Sequence, residues 1–357
     1  MPAFLPGLDL SERFYREVVR PLLDAHFADI PHGAALIGSG SEVLGFDTEM
    51  SSDHDWGPRV QLFLRPEDGT RHGEALGDML RRHLPPRFLG YPTDFGETPS
   101  DDGATPVEHH RVEVLTPRGY LLGFLNFDIE GPIEPMDWLT FPEQKLRALA
   151  GGRVFHDGIG LQAVRDRFSV YPRDVWLYLM AAGWNRIGQE EHLMGRAGTV
   201  NDEIGAGLLA SRLARDAMRL CFLMEREYAP YPKWFGTAFA RLRCGPALLP
   251  MLRAVQAAEG PRAREARLMA VFERLATLHN DLRVTEPLPT SAFPFFGRPY
   301  RVIGGGRFAD ALRAGISDPA VRAIASRPLL GGIDQISDNT DLLEGARWRP
   351  VLRRLYE

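Results

Sequence analysis

Little in this sequence suggests a secreted, membrane-spanning or disulfide-bonded protein. The 357 residues include two cysteines, Cys221 and Cys244, which are too few for a disulfide framework and suit a reducing compartment. No apolar run approaches the roughly 20 residues that a transmembrane helix needs. Residues 1–8 contain proline and glycine instead of the basic start and long apolar core of a signal peptide. We therefore expect a cytoplasmic protein without a membrane partner.

The chain also lacks a basic excess. Its 42 Lys and Arg residues are outnumbered by 47 Asp and Glu residues, so the formal net charge is −5. A broad nonspecific nucleic-acid surface needs a positive balance, so nucleic acid is a disfavoured partner, although a local basic groove stays open. At this length and with 44% hydrophobic residues, two domains with sizeable cores are expected.

The most informative segment runs from residue 36 to residue 64. The apolar residues 34–37 predict a buried strand, and the turn Gly38-Ser39-Gly40-Ser41 that follows is expected to open a helix. Backbone N–H groups in such a turn are free to face an anion. The segment therefore begins with a candidate phosphate-binding turn.

Two acidic residues, Asp53 and Asp55, come shortly after this turn. They directly precede a second predicted strand, whose apolar residues alternate over 60–64. Residues at i and i+2 of an extended chain point to one face, so Asp53 and Asp55 can share a cation while His54 points away. Mg²⁺ is commonly held by one or two carboxylates together with substrate phosphates. A glycine turn beside a carboxylate pair therefore predicts a nucleoside triphosphate and its metal ion.

This pattern resembles the signature of the nucleotidyltransferase superfamily, whose fold is that of DNA polymerase beta. In that signature a strand, a Gly-Ser turn and a following strand with Asp-x-Asp form the core, here Gly38-Ser39 and Asp53-His54-Asp55, up to about residue 115. Over its whole length the chain also resembles an uncharacterised bacterial family, a domain of unknown function within that superfamily. The segments that carry this wider resemblance are DHDWGPR, FPEQKLR, DVWLYL, PYPKWFG and PFFGRP. It implies a fold and no known substrate.

The superfamily normally adds a third carboxylate from a later strand. Glu113 is the preferred candidate, because it lies in the apolar segment 112–115 and projects opposite to the flanking valines. Asp128 is the alternative, although glycine and proline soon end its apolar segment. The resemblance implies that Glu113 completes a metal site with Asp53 and Asp55, or acts as general base on an attacking hydroxyl.

The order of predicted elements indicates an α+β protein in three parts. Residues 1–157 are expected to form a nucleotidyltransferase-like domain with a mixed sheet and flanking helices. Residues 158–285 are expected to form a helical bundle, and residues 286–357 a C-terminal extension that packs on the cleft or the bundle. The predicted helices cover residues 10–27, 73–84, 174–184, 202–228 and 263–280. Ile204 and Leu208 are counted among the periodic apolar residues of the fourth, and 116–119 predicts a turn.

A nucleotidyltransferase core followed by a helical bundle resembles the antibiotic-modifying nucleotidyltransferases, in which a cleft between the two parts holds nucleotide and acceptor. In such enzymes a lysine after the long helix contacts the triphosphate, and Lys233 lies in the corresponding place. Arg59, just past the acidic pair, is a second candidate for a phosphate contact. Gly38 and Ser39 would bind the phosphates through backbone donors.

The resulting functional expectation is a nucleotidyltransferase that depends on Mg²⁺ or Mn²⁺. It would move a nucleoside monophosphate from a triphosphate, most simply ATP, to a hydroxyl of a small-molecule acceptor and release pyrophosphate. One alternative is a catalytically silent nucleotide-binding or regulatory protein, and another is transfer onto tRNA or a protein. Residue spacing determines neither the acceptor, the base preference, the oligomeric state nor the role of residues 286–357.

Three further patterns favour structural roles. Arg186 and His192 match a spacing seen in some helical ribonuclease domains, but chance matches to so short a pattern are frequent, and an ion-paired helix face is the preferred explanation. His109-His110 has no further metal ligand at useful spacing and indicates a loop. Residues 303–307 resemble a phosphate cradle but lack the lysine and serine of a P-loop, which favours a simple turn.

Overall fold

The computed structural model describes residues 4–51, 56–96 and 107–357. Their contacts divide the chain into two compact units. Unit 1 contains residues 1–133 and 145–169, and unit 2 contains residues 134–144 and 170–357. The chain thus enters unit 2, returns to unit 1 and then stays in unit 2. The three-part division expected from the sequence stays a prediction.

The strands of the described residues are short. They are β1 (His32–Leu36), β2 (Val60–Leu64), β3 (Arg87–Phe88), β4 (Tyr91–Pro92), β5 (Val112–Leu115), β6 (Arg153–Asp157), β7 (Phe293–Pro294) and β8 (Arg301–Val302).

Helices account for most of the remaining secondary structure. In unit 1 and at its junctions with unit 2 they are α1 (Gly7–Phe14), α2 (Arg20–His26), α3 (Pro66–His83), α4 (Pro117–Leu125), α5 (Pro135–Thr140), α6 (Glu143–Ala150) and α7 (Leu161–Asp166). In unit 2 they are α8 (Arg173–Glu190), α9 (Leu193–Thr199), α10 (Glu203–Met224), α11 (Pro232–Arg241), α12 (Gly245–Gln256), α13 (Pro261–Asp281), α14 (Gly305–Ala314), α15 (Pro319–Ala325), α16 (Ile333–Ile336), α17 (Thr340–Glu344) and α18 (Arg349–Arg353). A π-helical segment, Tyr15–Val19, joins α1 to α2, and 3₁₀ turns cover Glu49–Ser51 and Ala346–Trp348. Among the described residues, no helix is long and apolar enough to cross a membrane.

Unit 1 contains a four-stranded mixed sheet with the order β5-β2-β1-β6. Strand β1 pairs antiparallel with β2 and β6, whereas β5 pairs parallel with β2. Every residue of β1 and β2 is buried, which agrees with the apolar runs that predicted these strands. The combination of this sheet with many helices confirms the predicted α+β class.

The core of unit 1 forms where two helical segments cover the sheet. Leu10 and Phe14 of α1, Leu62 of β2, and Leu76 and Leu80 of α3 belong to one buried cluster. Each such side chain contributes about 1.5–3 kcal/mol by leaving water. The helices predicted in this unit are therefore present, although α3 begins earlier than expected, at a proline followed by two acids that favour a helix start.

The segment after β5 differs from the prediction. The expected turn at 116–119 is the start of α4, because Pro117 occupies the first turn and the Thr116 hydroxyl accepts the Gly119 N–H at 3.1 Å. The helix ends at Asn126, whose backbone is left-handed with φ of 50°. Proline and glycine therefore mark a helix cap here and not a turn between strands.

Unit 2 is built on the long helices α8, α10 and α13, which were expected from their apolar periodicity. Helix α10 packs against both α8 and α13, and α14 packs along α8. The prediction was wrong for Ile204 and Leu208, which are 80% and 68% exposed. The buried face of α10 begins with Ala206 and Ala210, so the first turns bury small residues while the larger ones face outward.

Candidate functional site

The glycine turn follows β1 directly. Gly38 and Gly40 have φ of 94° and 145°, a region that residues with a side chain rarely adopt. A Cβ atom on Gly38 would lie 2.5 Å from Tyr120 Oη, so this position requires glycine for space as well as conformation. The expected helix after the turn is absent. Residues 41–45 form turns instead, closed by a hydrogen bond from the Phe46 N–H to the Ser41 carbonyl at 2.9 Å.

Arg59 is held against this turn. Its Nη2 donates to the Ser39 carbonyl at 3.1 Å and to the carboxylate of Glu42, whose side chain is only 4% exposed. A Cβ atom on Gly40 would lie 2.7 Å from the Glu42 carboxylate and 2.8 Å from Arg59 Nη2. The structure therefore places Ser39 and Arg59, two of the predicted site residues, in contact with each other. It also adds Glu42, an acid close behind a Gly-Ser turn, which sequence reasoning missed.

Gln61 connects the base of the turn to Glu113. It lies on β2, opposite Ala35 of β1 and Glu113 of β5. Its side-chain oxygen accepts the Ile37 N–H at 3.0 Å, and its Nε2 donates to Glu113 Oε2 at 3.4 Å. Sequence reasoning missed Gln61, although a polar residue inside a fully buried strand is a recognisable signal because it must find partners.

Tyr120 adds a buried hydroxyl to the same region. Its ring packs edge-on against Phe63 and stacks on Phe124, with centroid distances of 5.6 and 5.4 Å. Burial raises the pKa of the Tyr120 phenol, and the negative charge of Glu113 raises it further, so the phenol stays protonated. Its Oη has no hydrogen-bond partner within residues 4–51, 56–96 and 107–357. An unpartnered polar atom at this depth is costly and is available to a ligand.

The two predicted metal-binding aspartates, Asp53 and Asp55, lie outside the described residues. Strand β2 begins at Val60, and the described residues just before it are not in a strand. Where the chain is described, no group of three or more His, Cys, Asp or Glu side chains is arranged to hold a metal ion. The metal site, which requires both aspartates, stays a prediction.

The two candidates for the third carboxylate have different surroundings. Glu113 lies within the sheet, on the strand next to β2, with its side chain exposed. Asp128 follows α4 in an irregular segment, where its carboxylate accepts a hydrogen bond from Arg118 Nη2 at 2.6 Å at the surface. Of the two, Glu113 is the one connected to the glycine turn.

Lys233, the candidate outside the sheet, lies in the first turn of α11 in unit 2. It lines a pocket of about 510 Å³ together with Arg215, Arg219, Phe235 and Asp334. Lys233 Nζ lies 4.9 Å from the ring centroid of the neighbouring Trp234, and Arg219 lies 5.8 Å from that of Phe235. The pocket thus combines three cationic side chains, aromatic rings and three carboxylates, the other two being Asp338 and Glu344.

The buried carboxylate of Glu143 lies close to Asp334, which lines this pocket. The Glu143 N–H donates to Asp334 Oδ2 at 2.8 Å, and Glu143 Oε2 accepts the Ala229 N–H at 3.3 Å and lies 3.5 Å from Arg219 Nη1. Burial, together with the nearby charge of Asp334, raises the pKa of Glu143 to about 7. Burial also raises the pKa of Asp334. The pair therefore retains a proton close to neutral pH, a property that no local sequence pattern indicated.

The turn at 303–307, whose sequence resembles a phosphate cradle, binds a side chain of the protein itself. The carboxylate of Glu191 accepts the backbone N–H groups of Ile303, Gly304 and Gly305 at 2.5, 3.1 and 3.1 Å. A glutamate thus takes the position that an anionic ligand would need. The segment is therefore a simple turn, as the lack of the P-loop lysine and serine predicted.

The histidine and arginine patterns also have structural partners. Arg186 donates to Asp216 at 2.8 Å and to the Gln335 carbonyl at 2.9 Å, as an ion-paired helix face requires. His192 stacks on Phe295 with a centroid distance of 4.5 Å. His110 lies in the loop before β5, where its Nδ1 accepts the Val112 N–H at 3.3 Å.

Comparison with known proteins adds one finding. Residues 138–235 match the model of a family described as Domain of unknown function (DUF4037). This segment includes Glu143, Arg215, Arg219 and Lys233, so the similarity covers several residues at the pocket of unit 2. Neither the curated proteins nor the solved structures yielded a match. The expected resemblance is thus confirmed for this segment as similarity to an uncharacterised family, without a link to nucleotidyltransferases.

Proposed function

We propose that the protein is a metal-dependent nucleotidyltransferase. It would transfer a nucleoside monophosphate from a nucleoside triphosphate, with ATP as the simplest donor, to a hydroxyl of a small-molecule acceptor and release pyrophosphate. The observation that carries the proposal is the position of Gln61, which joins the base of the glycine turn to Glu113 on the adjacent strand. Under this proposal the mixed sheet of unit 1 is of the nucleotidyltransferase type and unit 2 contains the helical bundle.

The glycine turn would bind the phosphates. Ser39 would supply a backbone donor. The Gly38 N–H already donates to the Ala148 carbonyl at 3.0 Å, so Gly38 would contribute only its positive-φ conformation, which corrects the predicted donor role. The unpartnered Oη of Tyr120 lies next to Gly38 and supports the same role, because a phosphate oxygen would satisfy it. Arg59 donates to Ser39 and is ion-paired with Glu42, so in this proposal it positions the turn.

Three carboxylates would hold the metal ion, namely Asp53, Asp55 and Glu113. When bound, Mg²⁺ or Mn²⁺ neutralises phosphate charge and lowers the pKa of the acceptor hydroxyl. The oxygen-only donor set suits a hard cation. Glu113 would accept the proton of the attacking hydroxyl, and its hydrogen bond from Gln61 would orient it for that task.

By the resemblance to the antibiotic-modifying nucleotidyltransferases, Lys233 would offset the charge that develops on the departing pyrophosphate. The pocket that it lines in unit 2 holds as many carboxylates as cationic side chains, so this role rests on Lys233 itself.

The decisive experiment combines binding with transfer of label. Calorimetric titration with ATP and Mg²⁺ measures binding, and ATP labelled at the α-phosphate, incubated with protein and cell extract, reports transfer. We expect labelled small molecules in the wild type and a loss of at least about 10²-fold in Glu113→Gln, since general-base catalysis commonly contributes that much. Asp128→Asn, which removes the alternative carboxylate, is the matched control and should retain activity.

The outcomes separate the competing functions. Label that appears on tRNA or protein would favour a macromolecular acceptor. Binding of ATP and Mg²⁺ without any labelled product would favour the silent nucleotide-binding protein. Absence of binding would refute the proposal as a whole, and loss of activity in Asp128→Asn alone would move the third carboxylate to Asp128.

A further inference from the structure

The two cysteines of the chain lie against each other in unit 2. Cys221 belongs to the last turn of α10, and Cys244 directly precedes α12, 23 positions later in the sequence. Both residues are buried, and their thiols are hydrogen-bonded to each other. Helices α10 and α12 pack against one another, which brings the two segments together. This pairing is independent of the proposed function.

Glu225 fixes the position of Cys244. Its carboxylate accepts the backbone N–H groups of Arg243 and Cys244, each at 2.8 Å, and is also hydrogen-bonded to the Cys244 thiol. The Cys244 sulfur is therefore held between the Glu225 carboxylate and the Cys221 sulfur. Because the thiolate is the reactive form of cysteine and the pKa of the Cys221 thiol is raised by its Cys244 contact and by burial, the first chemical step falls to Cys244.

A small molecule can reach the pair. Cys221 and Cys244 both line a pocket of about 360 Å³, together with Glu225, Arg243 and Arg274. This volume exceeds by an order of magnitude the roughly 30 Å³ that a water molecule occupies, so a peroxide fits. The thiols are thus buried among helices and yet open to a small oxidant.

We propose that Cys221 and Cys244 form a site of reversible oxidative modification, in which hydrogen peroxide converts the two thiols into an intramolecular disulfide. The Cys244 sulfur attacks one peroxide oxygen, the O–O bond breaks, and a sulfenic acid and one water form. The Cys221 sulfur then attacks the sulfenic sulfur, the S–O bond breaks, and a second water leaves. Two thiols lose two electrons and two protons, and hydrogen peroxide is reduced to two waters.

The order of attack agrees with the surroundings of Cys221. Its hydrogen bond to Cys244 and its burial both raise the pKa of the Cys221 thiol, so it remains protonated until the sulfenic acid forms. Attack then requires only that the two contacting sulfurs approach to the S–S bond length of about 2.0 Å. The product joins the end of α10 to the start of α12 and encloses α11, which carries Lys233.

The experiment treats the folded, reduced wild-type protein with hydrogen peroxide and follows the intact mass and the thiols titrated after denaturation. We expect a mass decrease of about 2 Da, loss of both thiols, and full reversal by dithiothreitol. Peptide mapping without reductant should recover the peptide of Cys221 linked to that of Cys244. Cys221→Ser and Cys244→Ser, treated identically, should show no loss of 2 Da.

Three results would overturn the inference. The first is that both thiols persist after the folded protein is treated with peroxide. The second is a mass gain of about 32 or 48 Da without a linked peptide, and the third is a disulfide that joins two chains. Each is read from the wild type, so the inference remains testable even if a serine variant folds poorly.

Discussion

The buried carboxyl of Glu143, which lies close to Asp334, predicts how the stability of unit 2 depends on pH. The pKa of Glu143 rises from 4.5 to about 7 in the folded protein. Below pH 4.5 the carboxyl is protonated in both folded and unfolded states and contributes no difference. Between pH 4.5 and 7 the unfolded chain ionises while the folded chain keeps the proton, so stability falls as pH rises. Above pH 7 both states are ionised and the loss is constant.

The magnitude follows from the size of the shift. About 2.5 pKa units correspond to about 3 kcal/mol of unfolding free energy over the whole window. Replacing Glu143 by Gln preserves the shape of the side chain and removes the titration. As the pH rises from 5 to 8, the wild type should therefore lose roughly 2 to 3 kcal/mol of unfolding free energy that Glu143→Gln does not lose.

Urea unfolding followed by tryptophan fluorescence at pH 5, 6, 7 and 8 measures this difference. Five of the six tryptophans belong to unit 2, so the signal reports the relevant unit. Glu344→Gln is the matched control, because this exposed carboxylate lines the same pocket. Parallel pH profiles for the wild type and Glu143→Gln would refute the argument, and so would an equal change in Glu344→Gln.

Three further predictions concern packing and can be checked by urea or thermal unfolding. Asp137→Asn should cost about 3–5 kcal/mol, since it leaves the buried guanidinium of Arg349 without its carboxylate partner. Gly38→Ala should destabilise by more than about 1 kcal/mol because of its positive φ and the contact with Tyr120, whereas Gly73→Ala, in an open helical position, should stabilise by roughly 0.5–1 kcal/mol. Leu208→Ser should change the free energy of unfolding by less than about 0.5 kcal/mol, and a large loss would show that its exposed face is covered.

Much of the local structure could be predicted from the sequence. The apolar runs of β1 and β2 and the periodicity of α8, α10 and α13 were sufficient, because a buried strand or helix face must repeat with the geometry of its backbone. Glu113 was correctly placed on a strand for the same reason. The predictions failed where the same residues serve several local structures, as at Thr116 and Pro117, which cap a helix instead of forming a turn.

The periodic pattern was also insufficient to decide burial at helix ends. Ile204 and Leu208 have the spacing of a core face, yet they lie on the exposed side of the first turns of α10. Periodicity states which residues share a face of a helix. It does not state how far along the helix a partner extends, which depends on neighbouring elements.

By itself, the sequence predicted strands β1, β2 and β5 and the long helices α8, α10 and α13, and it located the glycine turn. Only the tertiary structure decided the pairings that define the sites: Arg59 with Glu42, Gln61 with Glu113, Glu143 with Asp334, and Cys221 with Cys244. The physical reason is range. Backbone geometry acts over a few residues and leaves a repeat in the sequence, whereas a buried polar group takes whichever partner folding brings near, however distant in the chain.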